Sequence, residues 1–163
     1  MEPNWSEKKK EILNKLLTQK QEELAATGAA LEKIKQTAIE APGRMESRYD
    51  STKQEYSYLV NDTLGAFERI ESEIKEIKLL STNTKHTPST VIENGSLIRA
   101  TLDGQEKIYL LLTFGSGEAI SDETIGTINI ISTSSPIGEI LLNKSSGAIT
   151  ELNKKQLIIK EVY

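Results

Sequence analysis

Cysteine is absent from the 163-residue chain, and histidine occurs once, as His86. The first absence excludes a disulfide framework, thiolate nucleophiles and cysteine zinc sites. The second excludes a histidine-rich metal centre. Long apolar runs are missing too: none approaches the roughly 18 residues needed to cross a membrane. The start Met1-Glu2-Pro3-Asn4 has no basic region followed by an apolar stretch, so a cytoplasmic protein with no membrane contact is expected. There is no glycine-rich phosphate loop and no G-x-S-x-G elbow, and Gly115-Ser116-Gly117 lacks the lysine and helix of a phosphate binder. An autonomous enzyme is therefore not expected. A net charge of -4 argues against nucleic acid as a direct target, because phosphate binding uses a concentrated basic surface.

What the chain does have is helix-period sequence, in two long runs broken at Pro42-Gly43. From about Ser6 to Glu40, Leu13, Leu17, Lys20, Leu24, Thr27, Leu31, Ile34 and Ala38 recur at alternating steps of four and three. That period keeps one seam facing a partner helix. From about Glu46 to Leu80 the same steps carry Tyr49, Thr52, Tyr56, Leu59, Thr63, Ala66, Ile70, Glu73, Ile77 and Leu80. Pro42 biases Ala41 away from helical angles and Gly43 can take positive φ, so the chain is expected to reverse there into an antiparallel coiled-coil hairpin. Arms of about 35 residues would reach on the order of 50 Å at the helical rise. Such a hairpin satisfies its own seam, so a monomer is expected.

Two further features lie on or near the arms. Lys8, Lys9 and Lys10 form a basic run that reads either as a contact for RNA or an acidic partner, or as a solvated helix start beside Glu7 and Glu11. The segment Ser81 to Thr90 is polar, contains Pro88 and has no period, which marks a linker. His86 within it reads as exposed.

From Val91 onward the pattern turns strand-like. Ser96 to Leu102, Lys107 to Phe114, Gly126 to Ser132 and Gln156 to Val162 carry β-branched or alternating apolar residues, and Asp103-Gly104 is a strong hairpin signal. A small antiparallel sheet is expected. Between the third and fourth runs, Ile137, Ile140 and Leu141 fall at helical spacing, with Ser135 as N-cap and Pro136 at the first helical position. The fold class is therefore α+β: a coiled-coil hairpin over residues 1–80, a linker over 81–90, and a sheet domain with one short helix over 91–163.

The run GTINIISTSSPIGEILLNKSSGAI, with VIENGSLIRATLDGQEKIYLLL before it and LIIKEVY after it, resembles the C-terminal domain of the Gre family of bacterial transcript-cleavage factors. The hairpin ahead of it has the length and order the family would have. The resemblance implies an FKBP-like globular domain that docks at the rim of the RNA polymerase secondary channel while the coiled coil enters it. Polymerase binding would fall to Ser134, Ser135, Pro136 and Ile137, though Ser135-Pro136 is equally well explained as helix capping. Acidic residues at the tip would help hold a second Mg²⁺ at the polymerase active centre, where backtracked RNA is cut. The resemblance implies no intrinsic cofactor and only indirect contact with RNA.

The tip departs from the family's pattern, which reads like Gly-Asp-Leu-Ser-Glu-Asn-Ala-Glu-Tyr with its first Asp and first Glu as the working pair. Aligned on Tyr49, those two acids fall on Pro42 and Met45; a shift by one residue recovers Glu46 for the second acid. Glu46 and Asp50, four apart on the second arm, are the candidate catalytic and metal-holding pair. Ordinary helix-start chemistry with Arg44 and Arg48 nearby is the competing reading. Three functions follow: a cleavage-stimulating elongation factor, a secondary-channel regulator or inhibitor without cleavage, and a coiled-coil adaptor using Tyr49, Tyr56 and Tyr58 as an aromatic surface.

Overall fold

The structure is a computed structural model. It describes residues 3–40, 49–82, 90–115 and 117–163, with the side chains of residues 49–52 outside that description. The order of elements is α1 (Trp5–Glu40), α2 (Tyr49–Thr82), β1 (Leu97–Leu102), β2 (Gln105–Leu112), β3 (Ala119–Asp122), β4 (Gly126–Ser132), α3 (Pro136–Leu141), β5 (Ile149–Leu152) and β6 (Lys155–Val162). The α+β class expected from the sequence is what the structure shows. Pro42, Gly43, most of the linker and His86 lie outside the described residues.

Contacts divide the chain into two units: Met1–Leu16 with Leu80–Tyr163, and Leu17–Leu79. The first turns of α1 thus go with the sheet, a boundary that the sequence reading of 1–80 does not contain.

Within Leu17–Leu79 the two arms are antiparallel. Lys20 Nζ lies 2.9 Å from a Glu73 carboxylate oxygen. Eight residues further along α1, a Cβ placed on Gly28 would meet the Phe67 ring at 3.2 Å. Rising numbers on one arm thus face falling numbers on the other. Leu31, Ile70, Ile74 and Ile77 are buried, whereas Leu59, also on the seam, is 46% exposed. The seam is closed along Ile70 to Ile77 and at Leu31, which lies level with Thr63, and it is open at Leu59, which lies level with Ile34.

The other unit is built on a six-stranded sheet in the order β3-β4-β2-β1-β6-β5. Asp103 and Gly104 sit at φ 53 and 81 between β1 and β2, the two positive angles that a tight hairpin needs. The sheet is mixed, because β2 and β4 pair in parallel, Ile108 to Ile128 through Leu112 to Ser132. An all-antiparallel sheet was expected, and the difference is β3. This four-residue strand lies outside β4 and pairs with it antiparallel, so the chain passes beyond β4 and returns.

Strand alternation gives the sheet two apolar faces. Ile98, Ala100, Tyr109, Leu111 and Ile159 share one, packed with Leu141 of α3. Leu97, Leu110, Leu112, Ile128 and Ile130 are also fully buried, and so are Ile12, Leu13 and Leu16 of α1. Polar contacts tie those turns of α1 to the sheet, which places them over the second face.

Candidate functional site

The end of β4 is where the sequence points, and its geometry follows from three serines. Ser132 is buried and its hydroxyl donates to the Thr113 carbonyl at 3.2 Å and sits 2.8 Å from the Ser134 hydroxyl. The Ser135 hydroxyl donates to the Ser132 carbonyl at 2.6 Å and accepts from the Gly138 N–H at 3.1 Å. Ser135 is the N-cap of α3 in extended conformation, with Pro136 in the first turn, where its missing N–H leaves nothing unpaired. Gly138 is buried against Ser132: a Cβ there would overlap the Ser132 carbonyl oxygen, so the helix can approach the strand end this closely only with glycine.

The four expected docking residues are therefore together but not equivalent. Ser134 and Pro136 are exposed, Ser135 is half-buried in its capping role, and Ile137 is half-buried against the core. Exposed Glu139 extends the accessible face of the turn. Of the expected metal-holding pair, Glu46 lies outside the described residues. Asp50 belongs to the first turn of α2, with its side chain outside the description. Among the described residues, no three His, Asp or Glu side chains gather as a metal site.

A second cluster was not read from the sequence. Arg99 on β1 faces Glu161 across the β1·β6 register and reaches Glu106 on β2. Its guanidinium donates to Glu106 at 3.0 and 2.7 Å and also pairs with Glu161. Those carboxylates, Glu106 foremost, raise the Arg99 pKa above its ordinary value. The Arg99 guanidinium carbon also stands 5.0 Å from the ring centroid of Trp5, and Trp5 stacks on Tyr163 at 5.2 Å and 16°. Burial, then the hydrogen bond from its hydroxyl to Glu161, pushes Tyr163 up to about 12. A groove of about 630 Å³ runs beside this stack, lined by Trp5, Arg99, Lys107, Thr127 and Asn129 among others.

Two lysines of the basic run have partners within the chain, so the run is more than a solvated helix start. Lys8 pairs with Glu11 at 2.7 Å and with Asp122 at 3.4 Å; Lys9 donates to the Tyr163 carbonyl at 3.2 Å. Lys15 joins Asp122 at 3.1 Å. The Thr124 N–H, bonded at 2.9 Å, with Lys15 and the Ile125 N–H, holds the Asp122 carboxyl well below the usual carboxylate range, although burial opposes them. The missed signal was Trp5: the chain's single tryptophan, placed at the start of the first helical run, needed a surface to cover it.

No family model matches the chain, and no curated protein matches it. Solved structures do. The crystal structure of GreA factor homolog 1 (Gfh1) of Thermus thermophilus is 19% identical, with 94% of each chain covered and a TM-score of 0.35. A structure of the transcription factor Gfh1 is 18% identical, covering 94% of this chain and 92% of that one, with a TM-score of 0.37. Among the described residues, no helix is long and apolar enough to cross a membrane.

Proposed function

We propose that this chain is an RNA polymerase-binding elongation factor of the Gre type, acting as an accessory to the polymerase's own RNA cleavage rather than as an enzyme. The observation that carries this reading is the pairing of a long antiparallel helical hairpin with a sheet unit whose Ser-capped, Pro-initiated helix leaves β4. Those are the elements, in order, on which the sequence resemblance rests. In this reading the exposed Ser134 and Pro136 meet the polymerase at the channel rim, and Ser135 and Ile137 shape that turn from inside. The factor works as a monomer in the cytoplasm.

The hairpin's part is to bring Glu46 and Asp50 to the polymerase active centre, where hard carboxylate oxygens suit a second Mg²⁺. Pro42 and Met45 at the positions of the family's working acids favour a second reading, a channel occupant that regulates without cleavage. A coiled-coil adaptor is the remaining alternative.

One assay separates these. RNA shortening is followed in a defined backtracked polymerase complex, with parent protein and with the Glu46→Ala/Asp50→Ala double variant. Mg²⁺-dependent shortening that the double variant loses supports the first reading. Competition with another channel-binding factor, with no shortening by either form, supports the second. Absence of polymerase binding removes both and leaves the adaptor. Pro136→Ala, which spares the cap, is expected to weaken polymerase affinity; unchanged affinity in a folded variant removes the docking assignment.

A further inference from the structure

We propose that the ion pair between Lys20 and Glu73 is a register lock for the helical hairpin. Lys20 occupies a seam position of α1 and is 4% exposed, so its ammonium cannot rely on water. It is held 2.9 Å from Glu73 across the seam and 3.0 Å from Glu23 on its own helix. A single stagger of the two arms supplies Glu73 at that level.

The neighbouring seam layers show what a slip would do. Sliding one arm by one layer puts Lys20 opposite Ile77 and Glu73 opposite Leu24; sliding it the other way puts Lys20 opposite Ile70 and Glu73 opposite Leu17. Either slip leaves buried Lys20 with Glu23 alone and sets the half-buried Glu73 carboxylate against an aliphatic side chain, so the cross-seam partner of both charges is lost. The apolar seam alone chooses weakly, because Thr27, Ala38, Thr63 and Ala66 are small and accept many partners. A polar residue at one seam position is a well-attested way to specify register at some cost in stability. The stagger fixes which residues of the two arms end level with each other, so the lock matters to any function of the hairpin and does not depend on the polymerase reading.

The absence of native cysteine makes the test direct. Spin labels on Gln21→Cys and Ser57→Cys, both exposed, sit on opposite arms on the order of 25 Å apart, offset along the axis. The labelled full chain is diluted with unlabelled protein, so that only distances within one chain are read. The parent is expected to give one narrow distance. Lys20→Met with Glu73→Leu is expected to keep its helical circular dichroism and add a second distance displaced by about 5 Å, one seam layer. The exchange Lys20→Glu with Glu73→Lys is expected to restore the single distance. A single parental distance in the apolar pair overturns the proposal, and so does a split distribution in the exchange.

Discussion

Ser135 does two jobs with one hydroxyl, accepting from Gly138 and donating to Ser132. Replacing it with alanine is expected to cost about 1–2 kcal/mol in urea unfolding, the usual range for a lost N-cap. Gly138→Ala is expected to cost more, about 2–3 kcal/mol, because the obstacle is the Ser132 backbone and not a side chain that can swing away. The cap was legible in the sequence because Ser-Pro before an apolar period is a local signal. The need for Gly138 was not, since it comes from a strand end brought up by the sheet. Asp122 makes a pH prediction. Its carboxyl titrates below the ordinary value of about 3.9, so the stability it provides is complete above about pH 4 and is lost as pH falls through the depressed folded value. Asp122→Asn is expected to lower stability at pH 7 by about 1–3 kcal/mol and to flatten the fall below pH 4, both measurable by urea unfolding across pH.

Among elements, the two long helices and the Asp103-Gly104 hairpin were readable because each is set by neighbours within one or two turns of chain. β3 and β5 were not: each has four residues, and β5 joins β6 through Asn153-Lys154, a tight turn with no glycine to announce it. Both turn residues hold positive φ, 51 and 65, which an L side chain adopts at a cost. Lys154→Gly, giving the favoured Asn-Gly turn, is expected to raise stability by about 0.5–1 kcal/mol in thermal or urea unfolding. A lower stability would mean that the lysine side chain supports the turn. Missing β3 had the larger consequence. Without it β4 reads as the next antiparallel neighbour, and the parallel β2·β4 pair cannot be inferred.

The whole molecule differs from its sequence reading in where it divides. The seam period runs through Leu13 and Leu17 without interruption, so nothing local marks the change at Leu16 from covering the sheet to pairing with α2. A fragment of residues 90–163 keeps every strand and α3 but leaves Leu97, Leu110, Leu112, Ile128 and Ile130 without the turns of α1. Uncovering five such side chains forfeits about 1.5–3 kcal/mol each, comparable to the entire stability of a small domain. The fragment is expected to show poorly dispersed amide resonances; a well-dispersed spectrum would contradict the assignment of α1 to this unit. The Trp5–Tyr163 stack carries the same division into the cell. A ribosome delivers the chain from one end, so the hairpin can zip while translation continues. The turn that carries Trp5 is made well before Tyr163 and must wait, uncovered, until that residue emerges, and a chaperone that shields nascent apolar helices would meet Trp5, Ile12 and Leu16 in that interval.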